Sequence, residues 1–209
     1  MEELDTKKYA GIDLGKTSVQ FSIYREGQEE MSEESFPIAK EQQEAYIETG
    51  IHLVEEYMKE KEYQWSDYQA VHFSMQDPSE ENRDKLKESV SEEFLKFHTV
   101  KVITHFRAFA EYVFHQERIM WDRNTLLLDY HDNQLSYVLI DQIRRSRQKA
   151  YRAVEKQIDL NEYRVVEGTP EQDANFGQMV KRFLVKNPAN IIFLTGSGFE
   201  GNWMKKTLT

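Results

Sequence analysis

The sequence predicts an α/β fold made of two related subdomains, each a mixed sheet flanked by helices. Three observations carry this. An apolar strand, an aspartate, a polar turn and an alternating strand occur at "YAGIDLGKTSVQFSIYREG" (9–27) and recur at "NTLLLDYHDNQLSYVLIDQ" (124–142). Each copy is followed by helical patterns and further short apolar strands. Short turns imply antiparallel hairpins, and intervening helices imply parallel crossovers, so each half should hold a mixed sheet. Two long copies are not the short-period repeat of a solenoid.

In the first half, residues 9–14 and 18–25 read as strands joined at Gly15, with Val19, Phe21 and Ile23 alternating against polar residues. A third strand is expected around 31–38, ending near Pro37. Residues 41–62 predict a helix, because Ile47, Ile51, Val54 and Met58 recur at helical spacing. "QAVHFSMQ" (69–76) reads as a strand. "DPSEE" then predicts a helix to about Phe97, with Asp77 as N-cap, Pro78 in the first turn and Glu80 completing a capping box. "VKVIT" (100–104) is a strand, leading into a helix with Phe106, Phe109, Ala110, Val113 and Phe114 on one stripe.

The second half repeats the order. After the hairpin 124–142 and the basic run "RRSRQKAYR" (144–152), residues 147–159 allow a third strand. "TPEQ" (169–172) opens a helix whose apolar face is Phe176, Met179, Val180, Phe183 and Leu184. "NIIFLTGSG" (190–198) is a buried strand running into a glycine turn. The boundary falls near 119–123, giving subdomains 1–120 and 121–209.

Composition bounds the function. With 39% apolar and 12% aromatic residues in 209, the chain can bury a core and is not wholesale disordered. The net charge of -10 disfavours nonspecific attraction to phosphate backbones or anionic lipid, so nucleic acid and membrane are not expected partners. There is no cysteine, which excludes disulfides and thiolate metal sites. Histidines 52, 72, 98, 105, 115 and 131 show no metal-ligand spacing. "MEELDTKK" has no signal-like apolar stretch and no run approaches a membrane span, so a cytoplasmic protein is expected.

These segments resemble, in order, the actin-like ATPase superfamily, which includes actin, sugar kinases and heat-shock chaperone ATPases. The likeness is to a bacterial branch rather than to those members themselves. "GIDLGKTS" (11–18) is similar to its first phosphate loop, and "LLLDYHDNQLS" (126–136) takes the place of the second. "VKVITHFRAFAEYVF" (100–114) resembles the connecting segment and "IIFLTGSG" (191–198) the adenosine motif. The resemblance implies two ribonuclease-H-like subdomains around a nucleotide cleft, with ATP and Mg²⁺ as cofactors. It assigns nucleotide contacts to Asp13, Gly15, Lys16, Thr17, Asp129, Gly196, Ser197 and Gly198, and a hydrated metal to Asp13 and Asp129.

The sequence also departs from that pattern. The family's second phosphate loop is glycine-rich, since a Cβ blocks close approach of backbone N–H groups to phosphate. Here it reads Tyr130, His131, Asp132, Asn133. Two like charges at 4 Å repel by about 1 kcal/mol in water and about 4 near a protein surface, so Asp132 facing a phosphate costs up to roughly three decades of affinity. The family often carries an acidic residue before the connecting helix, where this chain has Thr104, His105 and Phe106. Ser197 stands between Gly196 and Gly198. Family domains continue beyond the adenosine motif, so the second subdomain is expected to be incomplete at Thr209. Phe199, Trp203 and Met204 would then seek another surface, which predicts weak self-association through the C-terminal region.

The residues alone leave alternatives open. Asp13 either orients a hydrated cation or caps a hairpin turn, and Lys16 either neutralises phosphate or is a solvated turn lysine. Asp129 either faces the same cation or accepts backbone bonds in its own turn. His105 and His131 either line the cleft or are structural. The basic run 144–152 either meets an acidic partner or nucleic acid, or is a solvated hairpin tip. A ribonuclease-H-type nuclease needs three or four carboxylates clustered around one metal pair, and the first half offers only Asp13 for such a cluster. The sequence therefore favours a degenerate ATPase-superfamily domain that binds or assembles, with weak or no nucleotide turnover. The alternative is a Mg-ATP-dependent ATPase or kinase-like protein that needs further chain.

Overall fold

A computed structural model describes residues 6–27, 31–115, 125–131, 134–145, 148–152, 156–165, 171–196 and 199. Two mixed sheets flanked by helices form two compact units, Met1–His105 and Phe106–Thr209.

The first unit's sheet holds β1 (Lys8–Leu14), β2 (Ser18–Arg25), β3 (Ser32–Pro37), β4 (Tyr68–Met75) and β5 (Val102–Thr104), in the order β3-β2-β1-β4-β5. The β1–β2 and β2–β3 pairs are antiparallel, and β1–β4 and β4–β5 are parallel. Ala10, Ile12 and Leu14 alternate inward on β1, as do Val19, Phe21 and Ile23 on β2. Helix α1 (Tyr46–Glu60) buries Ile47, Gly50, Ile51, Val54 and Met58 in the same core. Gly50 permits the close packing, because a Cβ there would lie 2.9 Å from Leu14 Cδ2.

Local details correct the expected elements. Residues 40–45 form a 3₁₀ turn ahead of α1 rather than its first turns. Helix α1 ends in a Schellman motif, with the Glu62 N–H donating to Lys59 O (3.3 Å) and the Tyr63 N–H to Met58 O (2.8 Å). Glu62 takes the left-handed position, at φ 58°. The helix expected over 77–97 is two helices, α2 (Glu80–Ser89) and α3 (Glu92–Phe97). Ser79, not Asp77, caps α2, its Oγ accepting from the Asn82 N–H at 3.4 Å. Val90 turns extended, and Ser91 caps α3 by accepting from Phe94 N–H at 3.3 Å. A second good N-cap inside the run thus ends one helix and starts the next.

The second unit holds β6 (Thr125–His131), β7 (Gln134–Arg145), β8 (Gln148–Arg152), β9 (Lys156–Ile158) and β10 (Ile191–Thr195). The path is β10-β6-β7-β8, with β9 also pairing β7. Read as β8-β7-β6-β10, it follows the first unit's β3-β2-β1-β4: an antiparallel hairpin whose first strand takes a parallel neighbour. The single strand expected over 147–159 is thus two short ones. Residues 125–130 are all buried, because helices cover both faces. Leu126, Leu128 and Tyr130 cluster with Phe176, Met179 and Val180 of α5 (Gln172–Lys186), while Leu127, Val138 and Ile140 cluster with Phe106, Ala110 and Val113 of α4 (His105–His115). This packing draws α4 into the second unit, so the compact units divide at His105/Phe106, ahead of the 120/121 boundary read from sequence. Thr169 and Pro170, expected to open α5, lie outside the described residues.

Phe199 does not await an outside surface. It is buried, with its ring 5.7 Å from those of Tyr130 and Phe176. Trp203 and Met204 lie outside the described residues.

Candidate functional site

Asp13 is the next-to-last residue of β1, on the face opposite Ile12 and Leu14. The parallel register sets it beside Ser74 of β4. Ser74 also follows the alternation, standing between the core residues Phe73 and Met75. Its Oγ donates to Asp13 Oδ1 at 2.5 Å. The next strand, β5, ends at Thr104, and His105 follows at once, so the imidazole reaches the same spot. Its Nε2 lies 2.8 Å from Asp13 Oδ1, with the His105 side chain 4% exposed and that of Asp13 30%. Three adjacent parallel strands thus bring Asp13, Ser74 and His105 together at their C-terminal ends.

Ser74 Oγ donates to the carboxylate and not to a base, whereas in a serine-histidine relay the hydroxyl donates to the imidazole. The arrangement holds the Asp13 carboxylate by one hydrogen bond from Ser74 and by the close approach of a buried imidazole.

The sequence-predicted turn stands next to it. The Gly15 N–H donates to Ser18 O at 3.0 Å and closes the hairpin, while Lys16 and Thr17 are exposed at its tip. The Thr17 carbonyl accepts from Ile38 N–H at 2.8 Å, which ties the tip to the end of β3. The register pairs Leu14 with Val19, leaving four residues in this turn.

The counterpart in the second unit is Asp129 on β6. It is buried, opposite Ser136 of β7 and beside Thr195 of β10, as Asp13 is opposite Gln20 and beside Ser74. Here the register pairs His131 with Gln134, so only two residues close the hairpin. Gly196 follows β10 at φ 109°, and a Cβ there would lie 2.1 Å from the Tyr130 carbonyl oxygen. Asp129 and Gly196 are thus brought to one strand end. Ser197, Gly198, Asp132 and Asn133 lie outside the described residues, as does the side chain of His131.

Sequence reasoning named His105 without its partner and missed Ser74 altogether. The available signal was the polar phase of "HFSMQ", which sets Ser74 on the Asp13 face once β4 is laid parallel to β1. Among the described residues, no group of three or more His, Asp or Glu is placed to hold a metal ion. A hydrated Mg²⁺ needs only one or two carboxylates, so the test of fit falls on Asp13. Its Oδ1 already accepts from Ser74 Oγ and lies 2.8 Å from His105 Nε2, so a cation at Asp13 would compete with them for that oxygen or use the other one. Replacing His105 with alanine is expected to lower stability by about 1–3 kcal/mol, the range for leaving a polar group without its buried partner, in a urea titration. A loss under about 0.5 kcal/mol would contradict the contact.

Comparison with known proteins agrees with this architecture. A Ppx/GppA enzyme from Aquifex aeolicus is similar in structure at TM-score 0.50 and 17% identity, over 91% of this chain and 67% of that one. An exopolyphosphatase from Cytophaga hutchinsonii matches at TM-score 0.49 and 13% identity, over 91% and 66%. A ROK hexokinase from Thermus thermophilus matches at 0.43 and 18%, over 63% and 45%. The chain thus spans about two thirds of the length of the first two. The fold is that of the actin-like ATPases. Residues 22–209 match the description "Family of unknown function (DUF5716) C-terminal", and the chain belongs to that family. No curated protein matches the sequence. Among the described residues, no helix is long and apolar enough to cross a membrane.

Proposed function

We propose that this actin-like ATPase-fold chain works by binding or assembly, with little or no turnover of nucleotide. The observation that carries the reading is the grip of His105 and Ser74 on Asp13, the carboxylate a phosphate loop would turn toward a hydrated cation. Two further features support it. The β6–β7 hairpin closes on two residues against four in the first turn, and so has fewer spare backbone N–H groups to offer a phosphate. Those two residues are Asp132 and Asn133, where a glycine would be needed.

One observation favours a true ATPase or kinase-like protein: Asp13 and Asp129 occupy equivalent places in their sheets. Phosphate release from Mg-ATP separates the two readings. The expected rate is below about 0.001 s⁻¹, some four decades under the roughly 10 s⁻¹ median of enzymes. Turnover above about 0.1 s⁻¹ that disappears in Asp13→Ala would overturn the binding reading.

A further inference from the structure

The basic run left unassigned by the nucleotide-fold reading has a distinct place in the second unit. Strand β7 is 12 residues long, but β6 accompanies it only as far as the Thr125–Ile140 pair. Beyond that, residues 141–145 pair with β8 alone among the described residues. The result is a two-stranded ribbon running past the end of the described β6. It carries Arg144, Arg145, Lys149 and Arg152 against one acid, Asp141. Arg144 stands directly opposite Lys149 in the register. Like charges directly opposite each other weaken a ribbon, and a lone two-stranded ribbon is marginal in water. A counter-charged surface would offset both costs.

The first unit supplies a surface of the required chemistry. A cavity of about 480 Å³ opens between the end of α1, the turn that follows it and the start of α3. That is within the ~300–1,000 Å³ of sites that enclose a ligand. Its walls include Glu55, Glu62 and Glu93 against the single cation Lys59, with Tyr63 and Trp65 beside them. The Ser91 N–H donates to Glu55 Oε1 at 3.3 Å and fixes that carboxylate in the wall. Carboxylates next to aromatic rings suit guanidinium groups, which take bidentate hydrogen bonds and stack on ring faces.

We infer that the β7–β8 ribbon of one copy docks into the acidic, aromatic-walled cavity of the first unit of a second copy. Charge complementarity selects this occupant: residues 1–105 hold 12 Lys and Arg against 24 Asp and Glu, a net of -12, while residues 106–209 hold 15 against 13, a net of +2, so the half that carries the ribbon is drawn to the acidic half of a second copy. The inference deepens the assembly reading above by naming the two surfaces.

The test uses the 209-residue chain, Arg144→Glu/Arg145→Glu, and Glu62→Arg/Glu93→Arg, in sedimentation velocity up to about 0.1 mM protein. At about 0.05 M salt the native chain is expected to self-associate. At about 0.5 M, where screening is far shorter-ranged, the association should weaken at least tenfold. Each double variant alone should stay monomeric, with an unchanged far-ultraviolet circular dichroism spectrum. An equimolar mixture of the two should associate again, because a reversed ribbon then meets a reversed cavity. A native chain that stays monomeric at low salt overturns the inference without touching the turnover assay. So does association that ignores the charge reversals, failure of the mixture to recover, or tight binding of a labelled RNA or DNA duplex by the ribbon in place of self-association.

Discussion

Gly196→Ala is expected to destabilise the second unit by about 3 kcal/mol or more. A positive φ costs a non-glycine residue roughly 1–3 kcal/mol, and forcing atoms into a packed region typically costs a further 1–3. Here the clash is severe and has no flexible side chain to yield. The new Cβ would lie 2.1 Å from the Tyr130 carbonyl oxygen and 2.6 Å from its carbonyl carbon. Tyr130 is itself fixed, its ring stacked at 5.0 Å on Phe176. Thermal unfolding should shift down by roughly 6–12 °C, given about 2–4 °C per kcal/mol in a chain of this size. Hydrogen exchange should place the loss in β6 and β10, with β1 and β4 little changed. A shift of under about 2 °C would mean that β10 does not leave the sheet against Tyr130.

Phe94→Ala is the matching test of the first unit, with an expected loss of about 3–5 kcal/mol. Phe94 is fully buried although α3 is only six residues long. Its ring meets Trp65 edge-on at 5.1 Å and Phe73 at 5.6 Å, and so joins α3 to the sheet and to the turn before β4. His98, just past the helix, packs on Phe94 at 5.3 Å while its Nε2 bonds the Trp65 carbonyl at 2.8 Å. Removing the ring should expose β1 and β4 amides to exchange and leave β6 protected, the reverse of the Gly196 result. Equal loss of protection in both sheets would contradict the division into two compact units.

Most of the fold was legible because it is written in short-range periodicity. The two strand-aspartate-turn-strand copies stand out in "GIDLGKTSVQFSIY" and "LLLDYHDNQLSYVLI", and the structure gives both the same strand order. Helix α1 could be read from Ile47, Ile51, Val54 and Met58 alone. What could not be read were choices between near-equal local signals. Asp77 and Ser79 are both good N-caps beside Pro78, and Ser91 inside the run interrupts what apolar spacing alone would continue. Where α4 belongs was likewise invisible, since its stripe shows that it buries a face but not which sheet receives it.

The candidate site divides along the same line. Asp13, Gly15, Lys16 and Thr17 were found from consecutive residues, because a hairpin turn is a local structure. Ser74 lies 61 residues from Asp13 in sequence, and the link between them exists only once β4 is laid beside β1 in register. His105 was noticed for what it replaces in the resembled family, while its contact with Asp13 again needed the parallel order β1-β4-β5. Gly196 was read as part of a nucleotide motif, and the structure gives it a second demand, the close approach of the Tyr130 backbone.

The central claim is that Asp13 is committed to His105 and Ser74 and that the site no longer holds nucleotide well. Calorimetric titration of Mg-ATP into the chain tests it most directly. The account predicts a Kd of about 0.1 mM or weaker, roughly -5.5 kcal/mol of binding free energy, and no measurable change on Asp13→Ala. Submicromolar binding that Asp13→Ala abolishes would contradict it.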